Sequence, residues 1–436
     1  MPRHHSSAKH APPASAVIGP WYRRGIPWLA IGISLAVLIT AAFAVAPVRD
    51  AATFESVGEA SLELSAGYLS IAPISNVLDT LTLLTIGQHV ALLLWAIAIY
   101  IVVRVWRGRR GRSTVGRESL FAVVFLACIV LVYAVMALVP RPMAALVASD
   151  PTVLIADFHS HTQYSHDGRS GWTEDKVREW HRSAGYDVAY ITDHATYEGA
   201  ERGIAANPGQ AGEGTMLMQG IEAIYQGEHV NVLDAGRRYN GLTTPNLKDV
   251  DEQALALASL IPATTPVVIE TVPGNLNKVP AATRVGVPGV DAIEIVDGSP
   301  RGLTQSRRDH ARIVHLADSL NLALVTGSDN HGYGRAAPGW TLLRIPDWRG
   351  MATDSLMRYV EDVLRVGRRE STRTVERRVA NGTNPIALAF AGPVIVWRMF
   401  TTLSPDERVM WLIWTWLLVI VVRGLRSYRE RRVASA

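Results

Sequence analysis

At 436 residues the chain is too long for a single typical hydrophobic core, so more than one domain is expected. A lone cysteine, Cys128, excludes an intrachain disulfide. The net charge of +4 comes largely from arginines beside apolar runs, and therefore points to no particular substrate or partner.

The first apolar run, 26–46, is uncharged until its end, follows Arg23 and Arg24, and is long enough to cross a bilayer. Further runs at 86–103 and 120–139 make three expected spans in a membrane region covering 26–140, after a cytoplasmic tail at 1–25. Orientation follows from the short loops, because basic loops stay preferentially in the cytoplasm. The loop between the first two spans carries Asp50, Glu55, Glu59, Glu63 and Asp79 against Arg49 alone. The loop between the second and third carries Arg104, Arg107, Arg109, Arg110, Arg112 and Arg117. The first loop is thus expected outside and the second inside, which delivers everything after Pro140 to the extracytoplasmic side.

The next domain, 151–346, opens with the apolar strand 153–156 and then Asp157-Phe158-His159-Ser160-His161. Residues two apart on a strand share a side, so His159 and His161 can face one ion as neutral imidazoles. Asp167, with His166 beside it, is brought back by a turn at Gly168. A helix is expected over 172–184, with Thr173 as N-cap and Gly185 as stop. The apolar run 187–191 leads into Thr192-Asp193-His194, and 215–221 leads into Glu222. Strands at 229–233, 266–270 and 291–296 follow, with helices at 250–260 and 304–320. The run 323–326 leads into Gly327-Ser328-Asp329-Asn330-His331. Seven apolar strands alternating with helices argue for a parallel sheet covered outside, with ligands at the strand ends. Imidazole and carboxylate without thiolate suit Zn, Mn or Fe and hydrolytic chemistry.

This ordered set, His-x-His, Asp-Gly, Thr-Asp-His, Gly-Ile-Glu and Ser-Asp-x-His, resembles the PHP (polymerase and histidinol phosphatase) family over about 154–345. The resemblance implies a distorted seven-stranded (βα) TIM-like barrel, here flanked by transmembrane helices, and two or three divalent ions. It would place His159, His161, Glu222 and Asp329 on one ion, Glu222 and His229 on a second, and Asp167 or His166, His194 and His331 on a third. The chain departs from the family at Val272, which stands where a His-Pro-Gly histidine is usual. Glu270, two residues earlier, is a candidate substitute ligand or a buried structural carboxylate.

Asp193 and Arg335 are the candidate catalytic groups, Arg335 as a planar clamp for phosphate. Tyr164, Asp193 and Asn330 border ligands and are suited to orienting them. His181, His310 and His315 are expected to serve packing or surface roles. Beyond the barrel, 347–383 is expected as a helical linker. Residues 384–424 are expected as a C-terminal membrane region of one or two helices, in which 386–397 is short for a crossing, and 425–436 as a basic tail, cytoplasmic if 386–397 does not cross and outside if it does. The expected activity is hydrolysis of a phosphomonoester or phosphodiester by metal-activated hydroxide at the membrane, with a phosphorylated small molecule as substrate, membrane lipids as surroundings and no nucleic acid. The competing readings are a metal- or ligand-binding module without catalysis, serving as membrane sensor or scaffold, and a metallohydrolase acting on an amide or lactone.

Overall fold

Side-chain alternation along a few strands accounts for most of the architecture. The computed structural model describes residues 27–108, 114–225, 228–233, 266–272, 276–277, 290–379 and 384–434. The expected helix at 250–260 lies outside them. In chain order the elements begin with α1 (Trp28–Ala41), β1 (Val48–Asp50), β2 (Ala60–Leu64), α2 (Ala66–Ser70), α3 (Ala72–Thr82), α4 (Ile86–Gly108) and α5 (Val115–Leu138). Then come β3 (Ala144–Ala148), β4 (Val153–Ser160), α6 (Glu174–Ala184), β5 (Val188–Ile191), α7 (Glu198–Ala205), β6 (Met216–Tyr225), β7 (Glu228–Leu233), β8 (Val267–Glu270) and β9 (Ala292–Asp297). The chain finishes with α8 (Pro300–Leu320), β10 (Ala323–Gly327), β11 (Gly339–Arg344), α9 (Thr353–Asp362), β12 (Thr372–Arg377), α10 (Pro385–Ala389), α11 (Ala391–Thr401) and α12 (Pro405–Ala434).

All seven apolar runs form strands, and they lie side by side as β4-β5-β6-β7-β8-β9-β10 within a ten-stranded sheet extended by β11, β12 and β1. Leu154, Ala156, Val188, Tyr190, Met216, Met218, Ile269, Ala292 and Val325 point to the concave side and pack as one core, closed below by Trp348 and Leu356. Their odd neighbours face outward. Val153, Ile155, Ala189 and Leu217 meet Val177 and Trp180 of α6, while Ile293, Ile295 and Leu324 meet Ile313 and Ala317 of α8. The expected helix start and stop hold on α6: Thr173 precedes it in an extended conformation, and Gly185 ends it at φ 87°, the left-handed region glycine tolerates.

Two expectations are corrected. The sheet is mixed rather than parallel, because β7 runs antiparallel to both β6 and β8. It curls so that the chain beyond β10 bridges back to β4 at Ser160 and Asn330, yet among the described residues no ladder closes it into a seven-stranded barrel. Within 347–383, expected as a helical linker, α9 is helical, but the arginine-rich end forms β12, paired with β11 and β1. Its Thr-Arg-Thr-Val order alternates buried β-branched side chains with arginines, a pattern suited to a strand, and Arg373 pairs with Asp50 and Glu59.

Among the described residues three helices are long and apolar enough to cross a membrane: Ile86–Arg107, Val115–Leu138 and Pro405–Val433. The first apolar run appears as the 14-residue α1, and the run 386–397 is divided between α10 and α11, both shorter than a crossing of about 20 residues. Arg408, in the first turn of α12, ties these pieces together by donating to the carbonyls of Val37, Phe400 and Leu403. Phe400 lies in the last turn of α11, where a carbonyl has no intrahelical donor, so the buried guanidinium satisfies it.

Candidate metal centre

A β-bulge aims the first ligand. Alternation from Leu154 through Ala156 and Phe158 would turn His159 outward. Between Asp157 and Ser160, however, β4 gains a residue relative to β5, so Phe158 and His159 both reach the concave side. Beyond the strand ends the backbone continues the pairing. Thr192 N donates to Ser160 O, Glu222 N to Thr192 O, His161 N to Asn330 O and Asp329 N to His159 O, at 2.8–3.2 Å. The ligand-bearing loops are thereby fixed to one another. Asp329 adopts φ 44°, a strained conformation for a non-glycine residue of the kind found where side-chain aim matters.

The donor atoms converge. His159 Nε2 lies 3.1 Å from His161 Nε2, 3.0 Å from Glu222 Oε2 and 3.4 Å from Asp329 Oδ1. His161 Nε2 is 3.2 Å from the same Glu222 oxygen and 3.1 Å from Asp329 Oδ1. His194 Nε2 lies 3.3 Å from Glu222 Oε2 and 3.5 Å from Asp167 Oδ2, which is also 3.1 Å from His331 Nε2. His229 Nδ1 closes the outer edge at 2.6 Å from Glu222 Oε1. Three adjoining groups suited to a metal result: His159, His161 and Asp329; His161, Asp167 and His194; and His194, Glu222 and His229.

Electrostatics agree with a cation-binding role. Burial lowers the affinity of His159 and His161 for protons, yet the surrounding carboxylates outweigh it, lifting His159 well above the usual range and His161 to about 10. Burial raises Glu222 and Asp329 in turn, and the imidazoles override it and hold both carboxyls below their ordinary range. Buried carboxylates this close together demand positive charge, from protons or from metal ions that displace them. The residues therefore fit divalent ions in donor type, convergence and charge.

A fourth group, His159, Glu294 and Asp297, was not legible in the sequence. Glu294 Oε1 lies 3.0 Å from His159 Nδ1, and burial pushes the Glu294 carboxyl up to about 7. Gly327 permits this meeting: a Cβ there would stand 2.5 Å from Glu294 Oε1 and 2.6 Å from His159 Cβ. The sequence signal was the pair of acids in Ala-Ile-Glu-Ile-Val-Asp, at the concave face and end of an otherwise apolar strand.

Other predicted residues take different places. Asp193 is fully buried and accepts from the Thr162 amide and hydroxyl at 2.6 Å each, with His161 Nδ1 at 3.9 Å. It therefore stands behind a ligand rather than at the reacting atoms. Arg335 does not line the site, since its Nε donates to Arg141 O just beyond the apolar helix α5. His166 is exposed and lies tilted against His194, ring centroids 4.8 Å apart, outside the ligand groups, leaving Asp167 as the acid of that loop. Glu270 pairs with Val230, and Val230 and Val268 belong to the outer core, so Glu270 faces away from the ligands. His181 is buried and bonds Asp157 at 2.7 Å, and Asp157 receives the Ser328 amide. His310 stacks on Phe54 at a distance from the site.

The cavity over these groups measures about 270 Å³. Besides the ligands it is lined by Glu228, Thr271, Val272, Asp297, Ser299, Arg301, Gly302 and Gln305. Ser299 caps α8, whose first turn and Arg301 thus border the cavity, an arrangement complementary to an anion.

No family model matches the chain, and no curated protein matches it. Among solved structures it is similar to PsfC from Pseudomonas syringae, at 16% identity over 61% of this chain and 99% of the other, with a TM-score of 0.36. It is also similar to a proposed metal-dependent phosphoesterase from Bifidobacterium adolescentis, at 15% identity over 47% and 94%, TM-score 0.29. A third likeness is to the lesion-specific endonuclease EndoQ from Pyrococcus furiosus, at 10% identity over 50% and 57%, TM-score 0.34.

Proposed function

We propose that the chain is a membrane-anchored, PHP-type hydrolase that uses two or three divalent ions to cleave a phosphomonoester or phosphodiester. The observation that carries this reading is the sharing of His161 and His194 between adjoining ligand groups, with Glu222 Oε2 3.0–3.3 Å from His159, His161 and His194, beneath a cavity bordered by Arg301. Bound ions would supply an acidified water and charge neutralisation at phosphoryl oxygens. The chain's own residues do the rest. Glu294 and Asp193 orient His159 and His161, Asp167 orders His194 and His331, and Arg301 with the first turn of α8 holds the substrate anion. Metal analysis of the purified full chain, followed by a phosphoester panel with Mn and Zn, tests the reading. Bound metal with metal-dependent phosphate release is expected, and bound metal without turnover of any ester would favour the non-catalytic alternative.

We propose further that the sheet domain lies outside the cytoplasm. The first turn of α4, the last of α5 and the first of α12 all lie at the sheet domain, while Arg104, Arg107, Arg117, Arg423, Arg426 and Arg429 lie toward the opposite helix ends. Basic ends gathered on one side mark the cytoplasmic face. Val366 is 81% exposed on the sheet domain, so Val366→Cys in a Cys128→Ser background should react with an impermeant maleimide in intact cells or spheroplasts. Labelling only after lysis would reverse the orientation.

A further inference from the structure

The end of the sheet that carries the ligands is also the end that meets the membrane helices. β12 finishes at Arg377, Arg378 N donates to Pro47 O at 2.7 Å, and β1 begins one residue later, after the α1 turn. Arg377 then enters a buried network with Asp79, whose carboxylate also meets Tyr68 and Arg141. Next to it, Asn76 of α3 bonds Glu407 and Trp411 of α12. This junction fixes the sheet domain on its helices through charges that are costly to separate. At the other end of the strands lie Asp150, Pro151, Arg344 and Trp348, bonded to one another and to Glu59 rather than to the spans.

Two of the loops that build the site are fastened to span ends. Gly334 N donates to Ala137 O, in the last turn of α5, at 3.0 Å, and Gly334 follows the site residue His331 by three residues. Ile86 N, the first amide of α4, donates to Thr304 Oγ1 at 3.2 Å, and Thr304 follows Arg301 by three residues. Arg307, one turn along, reaches Leu83 O and Gln88. Three residues span at most about 10 Å, so both His331 and Arg301 lie within roughly the depth of a lipid headgroup layer from the ends of membrane helices. Tyr333, between His331 and Gly334, is 52% exposed, and Ile86, Leu138 and Val139 are exposed at the same level, which suits residues at a lipid interface.

We propose that the substrate is a phosphate ester of a membrane-resident alcohol, presented to the ligand-bearing end of the sheet from the bilayer surface. This deepens the phosphoesterase reading and rests on it. One water is consumed: its oxygen bonds to phosphorus as the P–O bond to the lipid alcohol breaks, and a proton ends on that alcohol. The lipid stays in the leaflet while the phosphate leaves to water.

The test compares one headgroup in two settings, with metal-loaded full chain in mixed micelles. Dioleoyl phosphatidate presents a phosphomonoester on a lipid, and glycerol 3-phosphate presents it in water. The lipid ester should show a kcat/KM at least about tenfold higher, because confinement to the surface raises its effective concentration. Its rate should fall as detergent dilutes it within the surface at constant bulk concentration. Tyr333→Ser should raise KM for the lipid ester severalfold while leaving kcat and metal content unchanged. Equal turnover of the two esters, indifference to surface dilution, or turnover of only water-soluble members of the panel would overturn the proposal while leaving the phosphoesterase reading intact. Failure on every ester with metal bound would instead remove the phosphoesterase reading itself.

Discussion

The Nδ1 of His159 and the Oε1 of Glu294 lie 3.0 Å apart across the concave face of the sheet, both side chains buried, so the ring presents Nε2 to the other ligands. A carboxylate on the far nitrogen of a metal-binding histidine fixes the ring and raises its basicity. Glu294→Gln keeps the shape and an acceptor but removes the charge. Affinity for the ion at His159 should fall by about 10–100-fold with the fold retained. Metal titration by calorimetry, beside circular dichroism, checks this, and an unchanged affinity would reduce Glu294 to packing.

His161 belongs to two ligand groups, whereas His229 belongs to one and is half exposed at the rim. His161→Ala should therefore remove more metal per chain than His229→Ala and abolish hydrolysis, while both remain folded. Equal metal loss in the two variants would contradict the shared-ligand arrangement.

Arg301 borders the cavity, whereas Arg335 donates to Arg141 O outside it. Arg301→Ala should raise KM for a phosphoester by tenfold or more, the scale of a lost charge-assisted contact of about 1.5–3 kcal/mol. Arg335→Ala should leave KM unchanged and lower thermal stability instead. The reverse pattern in steady-state kinetics would return the anion clamp to Arg335.

The seven strands were readable because each is a short apolar run with polar residues at its ends, and most ligands because imidazole and carboxylate cluster there. What escaped depended on contacts distant in sequence. Nothing local shows that β4 bulges at Phe158 and His159, or that β7 turns back against β6. Glu294 looked like an ordinary polar position of a strand until Gly327 opened room beside it. Arg335 was suggested by nearness in sequence to His331, but its loop turns at Gly334 toward α5, and the cavity's arginine comes from α8 instead. The Arg373 and Arg377 that made β12 look like a solvated helix find Asp50, Glu59 and Asp79 almost 300 residues or more away.

Asp187 lies at the start of β5, where its carboxylate accepts the Ile155 amide and burial pushes its pKa up to about 6. A folded pKa above the unfolded one means that the proton stabilises the fold. That contribution is complete below the unfolded value near 4 and is lost as pH rises through 6. Asp187→Asn keeps the acceptor without the charge, so its thermal midpoint should exceed that of the parent by more at pH 7 than at pH 4. Parallel profiles in differential scanning fluorimetry would show that Asp187 carries no such linkage.

Val272 stands beside His229 at the cavity wall, and Thr271 N donates to His229 O at 3.2 Å, which holds the end of β8 against the rim of the site. An ion held by His194, Glu222 and His229 is the most solvent-open of the set and gains nothing from a valine. Val272→His would supply an imidazole at that edge, so metal stoichiometry or affinity should rise there without change at His159, His161 and Asp329. Glu270 shares its face with Val230 and Val268 in the outer core, so Glu270→Gln should leave metal content as it is and shift only the thermal midpoint. Metal per chain and melting temperature measured on both variants decide the matter. A drop in metal with Glu270→Gln would make Glu270 a ligand after all, while no gain with Val272→His would mean that His229 binds no ion at this rim.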